Sequence, residues 1–479
     1  MASSAPGPAE PGPARFFPAD WPTVVPPEVV DVCRRLRAKG HAAYVVGGAL
    51  RDAALRRPLT GDWDVATAAP PPQVLELFRR AIPTGIAHGT VTVIVRERPI
   101  EVTTFRGDGA YQDGRHPVSV TFVADVRQDL ARRDFTVNAM AGDPLTGEIV
   151  DPFGGARDLA ARVLRAVGDP DARFAEDGLR PLRAARFCAV LEFDVEPATR
   201  AALGRHIDIF RRVSRERVRD ELTKMLTGAP RPSVGLRLLR ECGLLAEILP
   251  ALDRTFGAPQ NRFHEYDLFE HTLHTVDESP PRLVVRLAAL LHDLGKLEAA
   301  AWSEEKGDRT FFGHERRSAT IADDWLRATR YSAREAAEVV SLVTHHGTYY
   351  DAAWTDAAVR RWIRRVGRER IADQLALLAA DLRAKGDRPD VPESLAGARE
   401  LEARAAAVLA ARQPLDEAAL AIDGGTIMRL LGIGPGPRIG EVKRALLELV
   451  TDDPASNTAE NLARTVRERW GGTGEGKGG

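Results

Sequence analysis

The pattern of apolar and polar positions changes about one third of the way along the chain. Before residue 150, helical stretches near 28–38 and 73–80 are interspersed with short β-rich runs, which lie at 43–46, 63–67, 91–96, 100–106 and 118–123. After about residue 158, apolar residues recur at three- and four-residue spacing, and runs of β-branched residues become rare. The pattern predicts an α+β chain, in which a mixed α/β head is followed by helices to the end.

The length of 479 residues exceeds what one hydrophobic core usually holds, at about 100 to 200 residues per domain. We therefore predict several consecutive segments. They are a disordered lead-in at 1–26, the head at 27–150, a helical neck at 151–230, a helical body at 231–390, a helical tail at 391–470 and a flexible end at 471–479.

The sequence contains no segment typical of export or membrane insertion. Residues 1–13 are rich in Ala, Pro and Gly but lack the cationic start and apolar stretch of a signal peptide. The most apolar stretch, 283–291, contains Arg286 and is much shorter than the roughly 20 residues that a membrane span needs. The three cysteines lie far apart without metal-binding spacing, which fits a reducing compartment. We expect a cytoplasmic protein with no membrane partner.

Overall charge does not predict general affinity for polyanions. The chain has 67 Lys and Arg against 68 Asp and Glu, for a net charge of -1, so nucleic-acid binding must come from local basic patches. Two arginine-rich stretches, 211–220 and 359–370, are candidates for phosphate contacts along RNA. The alternative for each is a solvated helix face paired with acids. The predicted RNA contacts are Arg211, Arg215, Arg219, Arg360, Arg364 and Arg368.

The first motif with chemical potential is YVVGGALRD at 44–52. Gly47 and Gly48 have no Cβ, so a triphosphate can approach the backbone amides at the end of the predicted strand. Arg51 can then bind a phosphate. The motif predicts an anion-binding turn.

An acidic pair follows in GDWDVAT at 61–67. If Asp62 and Asp64 lie on one strand, their carboxylates point to the same side, as coordination of Mg²⁺ requires. Ions held in this way activate an attacking 3′-OH and neutralise the leaving pyrophosphate. A third carboxylate is Glu101, for which the alternative is a solvent-facing strand residue. The acids together predict phosphoryl transfer.

The order and spacing of the head motifs are similar to those of the bacterial class II tRNA nucleotidyltransferase and poly(A) polymerase family. The matching segments are GGALRD at 47–52, the Asp62 and Asp64 pair, LARRDFTVNAMA at 130–141, EDGLRPLRAARF at 176–187 and, as a shorter match to the family's tRNA-binding tail, LLGIGPGPRIGEVKRALLELV at 430–450. The resemblance implies a polymerase β-like nucleotidyltransferase head. It also implies addition of C, C and A to tRNA from CTP and ATP, with Mg²⁺.

The resemblance implies a role for each matching residue. The two glycines and Arg51 would hold the triphosphate, the next arginines and aspartate would contact phosphates and ribose, and Asn138 is either a sugar contact or a turn or helix cap. The nucleotide contacts implied are Gly47, Gly48, Arg51, Arg132, Arg133, Asp134, Asn138, Asp177, Arg180, Arg183 and Arg186.

The last four of these recur every third residue, so on a helix they would form a polar stripe. The resemblance implies that Asp177 and Arg180 recognise the incoming base. A carboxylate accepts from the amino group of C or A, and a guanidinium donates to the ring acceptors. The alternative is an arginine-rich solvated face. Segment 106–117, with three glycines, predicts a mobile loop over the site.

A second set of motifs, in the helical body, resembles the HD phosphohydrolase superfamily. It comprises FEHTLHTVD at 269–277, LLHDLGK at 290–296, GHE at 313–315, THHG at 344–347 and AADLRAKG at 379–386. Adjacent His292 and Asp293 offer neutral imidazole and carboxylate, which suit a divalent transition metal. The resemblance implies His271 and Asp381 as further ligands, with Ni²⁺, Co²⁺ or Mn²⁺ as the metal, and hydrolysis of 2′,3′-cyclic phosphates and 2′-phosphates.

Further polar residues of the same motifs are assigned accessory roles. His314, His345 and His346 would bind a second ion or the phosphate. Lys296 is a candidate phosphate contact, with a solvated lysine as the alternative.

Three functions are consistent with these motifs. The first is CCA addition to tRNA with an additional HD-domain phosphohydrolase activity. The second is a poly(A) polymerase, or an enzyme that adds only CC or only A. The third is an HD phosphohydrolase with a degenerate nucleotide-sensing head, which the intact Asp62, Asp64 and Arg51 disfavour. We favour the first, because the tail and HD segments resemble enzymes of tRNA ends; no DNA partner is expected, and the oligomeric state stays open.

Overall fold

The structure is a computed structural model that describes residues 16–59, 63–108, 120–411 and 413–471. The chain divides into two compact units, Met1–Ile248 and Leu249–Gly479. Asp62 and most of the predicted loop at 106–117 lie outside the described residues.

A mixed sheet forms the centre of the first unit. The described strands of this unit are β1 (Ala43–Val46), β2 (Asp64–Thr67), β3 (Ala81–Gly85), β4 (Thr90–Val95), β5 (Arg98–Thr104), β6 (Arg106–Asp108), β7 (Val120–Phe122), β8 (Ala141–Gly142), β9 (Ile149–Val150), β10 (Val163–Leu164) and β11 (Asp194–Val195). The main sheet has the order β3-β4-β5-β2-β1-β8-β9, while β6–β7 and β10–β11 form separate pairs. Within the main sheet, β2 and β5 run parallel and the other described neighbours run antiparallel.

Helix α1 (Pro27–Ala38) shows how local sequence builds this unit. Proline at its first position needs no amide donor, because the first turn of a helix has no acceptor for it. The buried side chains recur at helical spacing, at Val29, Val32, Cys33 and Leu36, so one face packs into the core.

The other helices of the first unit are α2 (Gly48–Ala54), α3 (Pro71–Leu77), α4 (Val126–Ala131), α5 (Gly155–Ala161), α6 (Pro170–Glu176), α7 (Arg180–Leu191), α8 (Pro197–Ala202), α9 (Ile207–Phe210), α10 (Arg215–Gly228), α11 (Pro232–Glu241) and α12 (Leu244–Ile248). Helix α7 packs against α10 and α11. The approach of α11 requires Gly235, since a Cβ there would lie 2.8 Å from the carbonyl oxygen of Ala185.

The second unit is helical apart from one short hairpin among its described residues. Its elements are α13 (Pro250–Asp253), α14 (Leu268–Glu278), α15 (Leu283–Leu291), α16 (Lys296–Ala299), β12 (Ala301–Ser303), β13 (Asp308–Thr310), α17 (His314–Ala328), α18 (Ala333–His345), α19 (Asp356–Val366), α20 (Ile371–Arg383), α21 (Val391–Ala410), α22 (Gly424–Leu431), α23 (Pro437–Asp452) and α24 (Ala459–Trp470). Helices α14, α15, α18 and α20 pack on one another, α19 to α21 share a second core, and α22 to α24 share a third.

These elements confirm the predicted α+β class, with a mixed α/β head followed by helices. Among the helices that the structure describes, none combines the length and apolarity needed to cross a membrane.

Candidate active sites in the head and in the helical unit

The turn between β1 and α2 brings backbone close to charged side chains. Gly47 has φ +75°, a conformation that L side chains rarely adopt. A Cβ on this residue would lie 3.4 Å from Oδ2 of Asp64 and 3.5 Å from Nη1 of Arg133. The turn, the carboxylate and the guanidinium therefore line one small space at the start of α2.

Two carboxylates are neighbours across the parallel pair β2–β5. Asp64 is in register with Glu101, and residues in register on adjacent strands project to the same face of a sheet. Asp64 is partly buried and Glu101 is exposed, so the pair is open to solvent on one side. The geometry fits a divalent cation, because carboxylate oxygens are the ligands that Mg²⁺ prefers.

Arg51 is buried and already bonded within the protein. Its Nη1 donates to Oδ1 of Asn138 at 2.7 Å, and its Nε donates to Oδ1 of Asp52 at 2.9 Å. Asn138 in turn donates to Oδ1 of Asp134 at 3.4 Å. Arg51 therefore orders the wall of the site in this structure.

Asp129 is a functional candidate that sequence reasoning missed. This buried carboxylate pairs with Arg132 at 2.9 Å and with Arg133 at 3.3 Å. Although burial opposes ionisation, the two arginines hold the pKa of Asp129 below its usual value. Its position three and four residues before the arginines was a usable signal, because such spacings are neighbours on a helix.

The stripe predicted from Asp177 to Arg186 is not one solvent-facing helical row, because Asp177 lies between α6 and α7. Its Oδ1 accepts from the Leu179 amide at 3.0 Å, and its Oδ2 pairs with Arg217 at 2.8 Å. Arg180 is buried and donates to Oε2 of Glu176 at 2.6 Å and to the Arg132 carbonyl at 3.0 Å.

The remaining arginines of this stripe also turn inward. Arg183 pairs with Asp134 at 2.7 Å, and Arg186 donates to the buried Glu221 on α10 at 2.5 Å. Burial opposes ionisation of Asp134, but Arg183 lowers the pKa of that carboxyl to about 2. No local pattern pointed to Glu221, because only the packing of α10 on α7 brings it to the arginines.

In the second unit, the HD motifs meet around Asp293. Its Oδ2 lies 3.5 Å from Nε2 of His271 and 3.1 Å from Nε2 of His292. Asp381 lies 3.0 Å from the same nitrogen of His271. All four residues predicted as ligands therefore converge, although they come from α14, the end of α15 and α20.

The other oxygen of Asp293 faces a second group. His314 Nε2 lies 3.3 Å and His346 Nε2 3.4 Å from Oδ1. Lys296 is buried rather than solvated and contacts Oδ2 at 2.6 Å. His345 belongs to neither group, since its Nδ1 faces the Ser341 carbonyl at 2.8 Å.

The polar atoms of this cluster fit a divalent cation. Nε2 of His271, Nε2 of His292 and both oxygens of Asp293 are buried and have no hydrogen-bond partner of acceptable geometry in the described residues. Burial disfavours the cationic imidazole, but Asp293 outweighs it and raises the pKa of His292 to about 10. Burying polar atoms without hydrogen-bond partners lowers the stability of the fold, and coordination of a metal ion would supply the missing partner.

The basic stretches are only partly available to RNA. Arg211 and Arg215 are exposed, and Arg211 pairs with Glu247 at 2.6 Å. Arg219 donates to the neighbouring Asp220 at 2.7 Å.

The second stretch, predicted to contact RNA, is largely occupied by contacts within the protein. Arg360 is buried and donates to the carbonyls of Thr451 and Asp452 at 2.6 and 3.1 Å. Helix α19 ends at Val366, so Arg368 lies beyond it, and Arg364 donates to Glu448 at 3.0 Å. These contacts serve packing between helices of the second unit.

Comparisons with known proteins agree with these two sites. Three family models match the chain: the poly A polymerase head domain at 43–165, the probable RNA and SrmB-binding site of polymerase A at 192–256, and the HD domain at 267–386. They define the class as a nucleotidyltransferase head joined to an HD domain.

Individual relatives are CCA-adding enzymes. Those of Anoxybacillus flavithermus and Enterococcus faecalis are 47% and 43% identical over 225 and 237 residues, which cover 47% and 48% of this chain and 56% and 58% of theirs. The chain thus spans little more than half the length of these relatives. The Bacillus stearothermophilus CCA-adding enzyme, solved in complex with CTP, is 29% identical with a TM-score of 0.71, over 93% of this chain and 98% of that one. The chain is therefore similar to the tRNA nucleotidyltransferase and poly(A) polymerase family in its first unit and to HD domains in its second.

Proposed function

We propose that this chain adds C, C and A to the 3′ end of tRNA from CTP and ATP, releasing pyrophosphate. The observation that carries the proposal is the register of Asp64 with Glu101 beside the Gly47 turn and Arg133. This arrangement combines metal-binding acids, free space at a backbone turn and a cation. The similarity to CCA-adding enzymes supports this choice of reaction.

In this proposal Asp62, Asp64 and Glu101 hold Mg²⁺. The ion supplies activation of the attacking 3′-OH and neutralises charge on the pyrophosphate. Amides at the Gly47 turn donate to the triphosphate, and Arg133, fixed by Asp129, donates to a phosphate oxygen. Holding the reactants in line lowers the entropic part of the barrier.

Incubation with tRNA that lacks CCA tests the main proposal. We expect CCA ends with CTP and ATP together, and CC ends with CTP alone, when the products are sequenced. Long A tails would instead identify a poly(A) polymerase, and arrest after CC or a requirement for CC ends would identify a partial enzyme.

Base selection is assigned to Asp177 and Arg180. The contacts with Arg217 and the Leu179 amide fix the Asp177 carboxylate, so it needs little reorganisation on meeting an amino group. Asp177→Ala should relax selection against UTP and GTP by roughly 10- to 100-fold, because a hydrogen bond to a charged group is worth roughly 1.5 to 3 kcal/mol. Competition between CTP and UTP in single-nucleotide addition measures this.

The matched control is Asp171→Ala, which removes a carboxylate whose partner, Arg205, is exposed. It should leave selection unchanged. A uniform loss of rate in Asp177→Ala, with the same nucleotide preference, would contradict the assignment.

We also propose that the HD domain hydrolyses 2′,3′-cyclic phosphates or 2′-phosphates with a transition metal. The supporting observation is that four imidazoles and one ammonium group surround one buried carboxylate, Asp293. A bound ion supplies an activated water and polarises the phosphate, while Lys296 is positioned to neutralise it. Imidazole ligands favour Ni²⁺, Co²⁺ or Mn²⁺ over Mg²⁺. Absence of hydrolysis of adenosine 2′,3′-cyclic phosphate with all three metals would overturn this proposal.

A further inference from the structure

The histidines and carboxylates around Asp293, which we call the HD cluster, open into two adjoining cavities. The first, of 700 Å³, is lined by Asp293, His314, His346 and Asp381. The second, of 910 Å³, shares with it the wall formed by Phe312, Gly313, Glu315, Thr348 and Tyr349. Each is as large as a site for one small molecule, about 300 to 1,000 Å³. The two cavities therefore form one groove that extends beyond the reacting centre.

Two aromatic rings stand at the junction of the cavities. Phe312 is 78% exposed and Tyr349 is 79% exposed, the two highest values among the exposed large hydrophobic residues that the structure describes. The ammonium of Lys306 lies 5.2 Å above the Phe312 ring. Exposed rings beside cations are the usual platform on which single-stranded nucleic acid stacks its bases.

The second cavity, which we call the arginine groove, is basic. Arg316, Arg317 and Arg365 line it, and all three are exposed. Within the described residues, their guanidinium groups form no ion pair or side-chain hydrogen bond. By contrast, the exposed Arg327 and Arg361 of the same unit pair with Asp323 and Asp452.

A third cavity, which meets the other two at Thr348 and Tyr349, has the opposite charge. It shares Tyr349 and Lys385 with the first cavity, but its other charged residues are Asp351, Glu393 and Glu400. An anionic strand whose end lies at the HD cluster is therefore directed into the arginine groove, because the acidic third cavity repels it.

We propose that the HD domain acts on the 3′ end of an RNA strand in preference to free mononucleotides. The terminal phosphate lies at the HD cluster, a base stacks at Phe312 and Tyr349, and Arg316, Arg317 and Arg365 contact the phosphodiesters of the preceding nucleotides. This inference rests on the proposed phosphohydrolase activity of the same site. Its occupant is the kind of strand that the head is proposed to extend.

The decisive experiment compares two substrates that share their last nucleotide. One is adenosine 2′,3′-cyclic phosphate, and the other is a four-nucleotide RNA that ends in the same cyclic phosphate. With the full chain and Mn²⁺, we expect kcat/KM for the RNA to be at least tenfold higher. In the triple variant R316A/R317A/R365A this advantage should disappear, while kcat/KM for the mononucleotide stays within twofold.

Salt dependence separates phosphate contact from a structural effect. Each phosphate contact to a single strand contributes a slope of about −0.7 to the logarithm of affinity against the logarithm of salt concentration, so three lost contacts should reduce the slope by roughly 2. The control variant R327A/R334A/R361A removes the same number of charges from arginines that have acidic partners. It should retain both the RNA preference and the slope.

Equal kcat/KM for both substrates in the wild type, or a parallel loss of both in the triple variant, overturns the inference. If the wild type hydrolyses neither substrate, the phosphohydrolase proposal fails separately. Crosslinking then tests the groove without hydrolysis. A tetranucleotide with 4-thiouridine at its penultimate position should crosslink to residues within 312–320 or 344–365 of the wild type. The same probe should not crosslink to the triple variant. Attachment there supports the groove, and its absence overturns it.

Discussion

The two candidate sites satisfy their buried charges in different ways. In the head, each buried acid has an arginine partner, as Asp129 has in Arg132 and Asp134 has in Arg183. In the HD cluster, imidazoles and carboxylates lie close together. Several of their own buried atoms, such as Nε2 of His271, have no hydrogen-bond partner in the described residues. The carboxylates of the head network are therefore neutralised by arginines, whereas the HD cluster offers buried carboxylate oxygens and imidazole nitrogens that suit a metal ion. Metal should therefore matter for reaction in the head, and for reaction and stability in the HD domain.

The largest expected effect is at Asp64. Asp64→Ala removes a metal-binding acid worth several kcal/mol of transition-state stabilisation, so CCA addition should fall by roughly a thousandfold or more. Affinity for tRNA and hydrolysis of cyclic phosphate should stay nearly unchanged. Single-turnover incorporation and a binding titration measure the two quantities, and an equal loss of RNA binding would contradict this division of labour.

Asp293→Ala should separate the sites in the opposite direction. It removes the carboxylate shared by both groups of the HD cluster, and loss of a ligand should exceed the roughly 10- to 100-fold effect of outer-shell changes. We expect loss of cyclic-phosphate hydrolysis with CCA addition retained. Simultaneous loss of both activities, with a native melting profile, would mean that the sites are coupled.

Metal should stabilise the second unit more than the first. An ion at 100 times its Kd stabilises the folded state by about 2.7 kcal/mol, which corresponds to roughly 5 to 10 °C in Tm for a unit of this size. Calorimetry with and without Mn²⁺ should show this shift in the wild type and in Asp64→Ala, but not in Asp293→Ala. A shift that persists in Asp293→Ala would place the ion elsewhere.

The arginine network of the head should show a smaller effect with a distinct pH dependence. Arg183→Met leaves Asp134 buried without its main partner and should lower the free energy of unfolding by about 2 kcal/mol, less than for a fully buried pair because Arg183 is partly exposed. The folded-state pKa of Asp134, about 2, lies below the unfolded value of about 3.9. The stabilisation is therefore present above about pH 4 and is lost as the pH falls towards 2.

Denaturant unfolding at several pH values measures this difference. Arg34→Met is the control. Arg34 is exposed and lies 3.8 Å from Asp31, and such an exposed ion pair contributes little to the free energy of unfolding. A difference between wild type and Arg183→Met that does not change between pH 6 and pH 3 would show that packing, rather than charge, holds Arg183.

Some of the head site followed directly from sequence and some did not. Gly47 was predicted at a turn, and the positive φ found there is the conformation that glycine tolerates. The stripe was wrong as a single helical row, because helix α6 ends before Asp177 and α7 begins at Arg180. A spacing of three residues cannot reveal such a break, because residues continue to recur at this spacing whether or not the helix is interrupted between them.

The RNA contact predicted at Arg360 was wrong for a related reason, because this side chain is buried. Spacing along a helix specifies which side chains share a face, but not what that face packs against. In this chain α23 covers it, and the backbone carbonyls at the end of α23 accept from Arg360.

By itself, the sequence determined the class of fold, the order of the motifs and the chemical nature of both sites. Those properties follow from local periodicity, from glycine where the backbone adopts a positive φ, and from the ligand preferences of carboxylate and imidazole. Only the tertiary structure decided that Asp64 lies beside Glu101, that Asp293 faces two groups of ligands, and that Arg316 lines a groove while Arg360 is buried. These outcomes depend on strand register and helix packing between residues far apart in the chain, which no local pattern encodes.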